Sequence, residues 1–301
     1  MSVVIENCPL CGGNDHAPFE TIKENGQALT YQLCRTCGFV FQSPHADETD
    51  LEAFYTSGYR QAVQGSEEPT DKDLRIQAGR ARHLVGIVRQ YVPALSRHLD
   101  IGSSSGALLR AFKSSYGCHS VGIEPGEIYR TRSQEQGVNI YTDLTQLASS
   151  DQEPFDLVSI IHVLEHIPDP VKYLTDLKKR WMVADSYLLI EVPNLFGHQS
   201  MELAHLTAFS RRTLRQTLYL AGFNLIKLSS HGKPRSPYLK LYVTALASVQ
   251  PDSKPVRSVK FRSRGVRFRR AIGLSILNYL TEKLPGLTWQ ALPELEELIE
   301  N

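Results

Sequence analysis

Four of the five cysteines fall in two C-x-x-C pairs near the N-terminus, Cys8 with Cys11 and Cys34 with Cys37, with twenty-two residues between the pairs. Each pair is followed by glycine, in CPLCGG and CRTCGF, and glycine admits the positive φ that a tight turn presenting two thiolates to one ion often needs. Two such turns supply a tetrahedral four-thiolate site with every position filled by protein, which is the structural rather than the catalytic kind of zinc centre. A disulfide or a redox C-x-x-C is the alternative; two matched pairs in a chain with no secretory leader pattern favour the metal. Cys118, alone between Gly117 and His119, reads as buried filler.

A second set of residues can hold a ligand. The run HLDIG leads into DIGSSSGALL, which sets Asp100 at a strand end, Gly102 in the turn and Gly106 at the start of a helix. Glycines there let backbone approach a ligand closely, and Asp100 can engage a cationic or hydrogen-donating part of it. The loop lacks the lysine of a phosphate-binding P-loop, which points away from ATP. Twenty-four residues after Asp100 a second apolar run ends at Glu124 in GIEPGE, where an acidic side chain accepts hydrogen bonds from ribose hydroxyls in nucleoside-binding α/β folds. Three further side chains are candidates for moving a proton: Glu165 and His166 in HVLEH, and His205 in the loop after EVPN. Histidine suits proton transfer near neutral pH. Glu165 and His166 have an alternative role, orienting the turn at Pro168 and touching the cofactor.

Elements able to position these groups are legible as a pattern. Between the cysteine pairs, TIKENGQALTYQLC reads as a hairpin turning at Asn25-Gly26, with Leu29, Tyr31 and Leu33 alternating along its second strand, which makes the segment a zinc ribbon in outline. From Thr70 to Tyr91, Leu74, Ala78, Ala81, Val85 and Val88 recur at steps of four and three, one face of an amphipathic helix. Short β-like runs at 98–102, 120–124, 138–141, 155–162 and 187–192 then alternate with helix candidates beginning near Gly106, Gly126, Asp143 and Asp169. Such alternation predicts parallel crossover units and a doubly wound α/β sheet. A helix over 210–221 precedes FNLIKLSS and YLKLYVTALA, which have no helix between them and are expected to close the sheet as an antiparallel hairpin.

The stretch from about 75 to 247 resembles the class I S-adenosylmethionine-dependent methyltransferases. The resemblance rests on DIGSSSG (family form DxGxGxG), the acidic end of GIEPGE, FDLVSIIHVLEHIPDP, and EVPN followed by HLTAFSRRTLRQTLYLAGF. It implies a Rossmann-like, seven-stranded, mostly parallel sheet with S-adenosylmethionine as cofactor. Asp100, Gly102 and Gly106 would line the methionine end of that cofactor, Glu124 the ribose and Asp143 the adenine amino group, with His162 alongside. Ser104 stands where the family commonly has its middle glycine and is small enough to take that place. With the cysteine pairs, FYTSGYR (Tyr55 and Tyr59) and HLTAFS, the whole looks like zinc-knuckle enzymes similar to sugar C-methyltransferases. The implied acceptor is a sugar, nucleotide sugar or related polar metabolite, methylated at carbon or oxygen.

Bulk properties set the remaining expectations. With 42% hydrophobic and 22% charged residues the composition is globular, and no apolar run is long enough to span a bilayer, so a cytoplasmic enzyme is expected. The chain carries a net charge of only +1 although 254–270 holds eight Lys or Arg and no acid, so the rest is acidic. Beyond a linker at 248–258, Ile272, Ile276, Leu280 and Leu284 predict a basic amphipathic helix in a C-terminal helical extension. Docking on its own domain is its expected role, with contact to an anionic membrane surface or to acceptor phosphates as alternatives. The expected division is a zinc ribbon over 1–50, a helical lid over 51–95, the cofactor-binding core over 96–249 and the extension over 250–301. A ribbon neither notably basic nor aromatic-rich argues against nucleic acid as partner. A zinc-finger RNA methyltransferase and a catalytically idle cofactor-fold protein are the competing readings, and the sequence leaves oligomeric state open.

Overall fold

Strand and helix alternate through the middle of the chain as the apolar runs require, and cap residues set where each helix begins. The computed structural model describes residues 2–24, 26–47, 68–199, 201–250 and 263–292. The large sheet is built from β6 (Arg97–Ile101), β7 (His119–Ile123), β8 (Asn139–Tyr141), β9 (Leu157–Ile161), β10 (Tyr187–Pro193), β12 (Phe223–His231) and β13 (Tyr242–Val249). Its order is β12-β13-β10-β9-β6-β7-β8. The first five strands run parallel, and β13 lies antiparallel between β10 and β12. This is the expected seven-stranded, mostly parallel sheet with a terminal hairpin. Its central strands are buried on both faces, as in β9, whose Leu157, Val158 and Ile160 are inaccessible.

The helices are α1 (Asp71–Val88), α2 (Ala107–Tyr116), α3 (Glu127–Glu135), α4 (Leu144–Ser150), α5 (Pro170–Trp181), α6 (Arg211–Leu220), α7 (Val266–Lys283) and the short α8 (Pro285–Thr288). Thr70 and Asp73 form a reciprocal capping box on α1, which packs Ala81, Val85 and Val88 inward. Gly106, Gly126, Asp143, Asp169 and Ser210 are the residues preceding α2 to α6. The side chains of Asp143, Asp169 and Ser210 accept backbone N–H bonds there.

The N-terminal strands β2 (His16–Glu24), β3 (Gln27–Cys34) and β4 (Val40–Gln42) form a second sheet, and its fourth member is β11 (Thr207–Ala208), contributed by the chain following β10. Thr207 pairs with Phe41 and Ala208 with Val40. Leu29, Tyr31 and Leu33 alternate inward as expected. The small strands β1 (Ser2–Val3) and β5 (His45–Ala46) pair with each other.

One expectation is corrected in the C-terminal extension. Helix α7 docks on the body, but through Val266, Arg270 and Leu277, whereas Ile272, Ile276 and Leu284 of the predicted face are 43%, 53% and 41% exposed. Gly273 lies on the docked side, where a Cβ would stand 1.7 Å from the Phe196 carbonyl oxygen. Close approach of the backbones at Gly273 brings Arg270 and Leu277 inward, with Leu274 and, of the predicted face, Leu280 packing beside Leu277. The hairpin residue Asn25, Tyr55 and Tyr59, most of the 248–258 linker, part of the basic run and the acidic end of the chain lie outside the described residues.

Candidate active site

The sheet changes direction beside β6: the chain proceeds from β6 to β7 and β8 on one side, then to β9 and β10 on the other. At such a switch point the strand ends splay and leave a crevice at their carboxyl edge. A cavity of about 890 Å³ occupies it, lined among others by Asp100, Gly102, Ser104, Glu124, Asp143, His162 and His166. Six of the seven expected cofactor residues therefore share one cavity. The seventh, Gly106, is the left-handed residue that starts α2, φ 70°, and lies behind the lining.

The loop after β6 fits a nucleoside carrying a sulfonium amino acid. Gly102 and Ser104 both take positive φ, 75° and 50°, and a Cβ on Gly102 would lie 2.3 Å from Val163. Ser104 thus keeps the left-handed backbone of the glycine it replaces, a conformation that disfavours a Cβ by roughly 1–2 kcal/mol. Its N–H donates to Glu124 Oε2 at 2.8 Å, and Gly126 N–H donates to Oε1 at 3.0 Å. These two bonds fix the carboxylate at the cavity wall, where it is suited to a pair of ribose hydroxyls. Asp100 is buried at 3% exposure and accepts the Ser159 hydroxyl at 2.5 Å. Burial pushes its carboxyl up to about 7, the Ser159 bond opposing and the Glu124 charge adding to the rise. One Asp143 oxygen caps α4 through Thr145 and Gln146 N–H, at 2.7 and 2.8 Å.

Past the cavity, at the ends of β9 and β10, lies a chamber of histidines around two buried carboxylates. His162 has φ 55°, strained for a non-glycine residue, and its ring bridges Glu165 Oε1 (Nδ1, 3.4 Å) and Glu191 Oε1 (Nε2, 3.2 Å). Burial works against a charged His162, and so does Arg80, but the two carboxylates outweigh them and raise its pKa. Glu191 is fully buried and takes Arg80 Nε at 2.9 Å, the Thr244 hydroxyl at 2.8 Å and His231 Nε2 at 3.3 Å. Burial opposes ionisation of Glu191, yet these partners hold its carboxyl well below the usual range. Tyr242 packs edge-on to His162 at 5.1 Å between ring centres, and His83 lies 4.5 Å from His231.

All three candidates for proton transfer meet here. His166 donates Nδ1–H to the Ala204 carbonyl at 2.8 Å, so Nε2 carries the lone pair; burial and His205 bring its pKa down to about 4. His205 Nε2 lies 3.1 Å from Glu202 Oε1 and 4.0 Å from Glu165 Oε1. Burial opposes the charge on Glu165, but His162 and the two neighbouring histidines hold its pKa down to about 2. Sequence reading missed Arg80, Glu191, His83, His198, His231 and Tyr242. Only Glu191 carried a local signal, as an acid inside the apolar strand YLLIEV.

In the N-terminal ribbon Cys8 Sγ lies 3.6 Å from Cys37 Sγ, and Cys11 Sγ 3.6 Å from Cys34 Sγ, all four within 4.8 Å of one another. Zinc with four bonds of about 2.3 Å would separate its sulfurs by about 3.8 Å, whereas a disulfide requires about 2.05 Å. Gly12 and Gly38 take positive φ directly after their cysteines, and their N–H groups close the turns onto Cys8 and Cys34 carbonyls at 2.8 and 2.9 Å. The donor set fits structural zinc.

Comparison with known proteins agrees with this geometry. The family model described as a methyltransferase domain matches residues 74–228, more than half of the chain. The ubiquinone biosynthesis O-methyltransferase of Hahella chejuensis is 35% identical over 85 residues, 26% of this chain and 35% of that protein. Its namesake from Aeromonas salmonicida gives the same identity and coverage. The chain thus spans only about a third of the length of these relatives. Burkholderia thailandensis 1,6-didemethyltoxoflavin-N1-methyltransferase, solved with 1,6-didemethyltoxoflavin and S-adenosylhomocysteine bound, superposes with a TM-score of 0.54 at 16% identity. That match covers 77% of this chain and all of the other and shows a shared fold. With a switch-point cavity that fits the cofactor and a family match spanning its walls, the chain belongs to the class I S-adenosylmethionine-dependent methyltransferase domain family.

Proposed function

We propose that the protein transfers the methyl group of S-adenosylmethionine to a small, hydroxyl-rich acceptor, a sugar, nucleotide sugar or related metabolite, at carbon or oxygen. The observation that carries this reading is a group of buried ring nitrogens without hydrogen-bond partners among the described residues of the histidine cluster: His83 Nε2, His198 Nδ1 and His231 Nδ1. Orphaned donors and acceptors in such number cost stability unless a polar ligand satisfies them. A hydrocarbon acceptor would leave them all unmet.

The cofactor supplies an already activated methyl group, and the protein's own residues bind, align and deprotonate. Asp100 and Glu124 hold the two ends of the cofactor, with Gly102, Ser104 and Gly106 shaping the loop and Asp143 near the base. His162, its pKa raised by Glu165 and Glu191, borders the transfer region. His205, whose Nε2 is engaged by Glu202, would accept the acceptor's proton at its other ring nitrogen, Nδ1, as the acceptor's nucleophilic atom approaches the methyl group. His166 is the alternative base, fixed in the right tautomer by the Ala204 carbonyl. The four cysteines would hold zinc structurally, in an assembly similar to the sugar C-methyltransferases, and the relatives named for ubiquinone biosynthesis support a small-molecule acceptor.

A labelled-methyl assay against nucleotide sugars, free sugars and glycans tests the proposal. Product is expected with a hydroxyl-rich acceptor, and a rate at least tenfold lower in His205→Ala. Equal rates in the parent, His205→Ala and His166→Ala would exclude both bases. One observation favours a polyanionic partner instead: a groove of about 950 Å³ is lined by Arg211, Arg215, Lys227, Lys240 and Arg264 with no carboxylate among its described lining residues. Salt-sensitive retention of RNA, together with methyl incorporation into it, would move the assignment to nucleic acid.

A further inference from the structure

The loop bearing His205 is held mainly by the ribbon rather than by the methyltransferase sheet. Tyr31, fully buried on β3, places its hydroxyl 2.6 Å from the His205 carbonyl and 2.8 Å from the Glu202 carbonyl. The same oxygen accepts the Glu202 N–H at 3.1 Å. Glu24, at the end of β2, accepts the Leu203 N–H at 2.6 Å. Gln42 N–H donates to the Leu206 carbonyl at 2.8 Å, and Thr207 then joins the ribbon sheet opposite Phe41. Ribbon groups therefore hold the backbone at Glu202, Leu203, His205, Leu206 and Thr207. The chamber side contributes chiefly side-chain contacts and the Ala204 carbonyl bond to His166.

We infer that the ribbon serves catalysis by fixing the loop that presents His205, with Tyr31 as its principal positioning residue. A hydroxyl within hydrogen-bond reach of the carbonyls on both sides of Leu203 and Ala204 sets the curvature of that turn. The turn in turn sets where the imidazole points. A base displaced by 1 Å loses on the order of 10²-fold in rate, while the cofactor cavity, at the ends of β6, β7 and β9, has no ribbon residue among its described lining residues. This inference rests on the proposed role of His205. It predicts that the ribbon's integrity controls transfer without controlling cofactor binding.

The test uses the full chain in four forms: parent, Tyr31→Phe, Glu24→Gln and Glu24→Ala. Tyr31→Phe keeps the buried ring and removes only the hydroxyl; Glu24→Gln keeps an acceptor for Leu203 N–H, whereas Glu24→Ala does not. Expected results are S-adenosylmethionine Kd and zinc content within twofold of the parent in all forms, and kcat reduced at least tenfold in Tyr31→Phe. Glu24→Ala should lose several-fold in kcat, with Glu24→Gln restoring most of it. The imidazole proton resonances of His205, assigned through His205→Gln, should shift or broaden in Tyr31→Phe while those of His98 stay in place. This last readout needs no acceptor and so separates the inference from the choice of substrate. An unmoved His205 signal, an unchanged kcat, or a loss of cofactor affinity parallel to the loss of kcat would overturn it.

Discussion

Asp100 is an acid held partly neutral in the free protein, and this has a measurable consequence. It faces Glu124 from β7 and the Ser159 hydroxyl from β9, with no cation among its described partners. Burial raises its pKa to about 7. A cofactor with a positive amino or sulfonium group beside it favours the carboxylate and draws the pKa down. Binding near pH 6.5 should therefore release a proton, and S-adenosylmethionine affinity should rise between pH 6 and 8 by roughly the factor that full ionisation supplies. Calorimetric titration in buffers of differing ionisation enthalpy measures the release directly. Asp100→Asn should remove both the proton and the pH dependence. A binding heat independent of buffer at pH 6.5 would show that Asp100 is ionised before the cofactor arrives.

At the scale of elements, α7 offers a prediction whose sign is opposite to the usual one. Replacing a mid-helix glycine by alanine ordinarily stabilises a helix by about 1 kcal/mol. Gly273 instead faces the Phe196 backbone, and a methyl group there would force α7 away from the loop after β10. Arg270 would then lose its bonds to the Leu195 carbonyl at 2.6 Å and Glu20 at 2.8 Å. Gly273→Ala should lower stability by a few kcal/mol and speed amide exchange throughout 266–283, whereas Gly286→Ala, with open space around it, should do neither. The same helix shows where sequence reading stops. Gly106, Gly126, Asp143, Asp169 and Ser210 could be read as helix starts because a cap is chemistry between neighbours in sequence. The choice between two apolar stripes on α7 depends on what lies opposite, which periodicity does not encode. The ligand loop was legible for the same local reason as the caps. The Glu191 chamber was not, because Arg80, His162, His231 and Thr244 come from four segments that only the sheet brings together.

For the whole molecule, the histidines that build the site also set its tolerance of acid. Burial lowers His98 to about 3 and His198 to about 3, and lowers His83 and His166 to about 4 with help from neighbouring imidazoles. Each is neutral in the folded protein over a range where the unfolded chain, titrating near 6.5, binds a proton. A depressed folded pKa means stability that is complete above the unfolded value and lost as pH falls toward the folded one. His162, raised, opposes them only above its ordinary value, but Asp100, raised to about 7, holds a proton in the folded chain that the unfolded chain releases, so four protons gained less one lost leave about three bound on unfolding. At about 1.4 kcal/mol per proton per pH unit, stability should fall by roughly 4 kcal/mol for each unit below pH 6.5. A domain of ordinary stability, about 5–15 kcal/mol, would then begin to unfold near pH 5. Glu165, held to about 2 by its histidines against the cost of burial, adds a further loss below its ordinary pKa of about 4.5. Urea titrations at pH 7.5, 6.5 and 5.5 measure the slope, and His98→Gln, which removes one of the four depressed imidazoles, should flatten it by about one proton. A stability that stays level from pH 7 to 5 would mean the imidazoles reach water in solution.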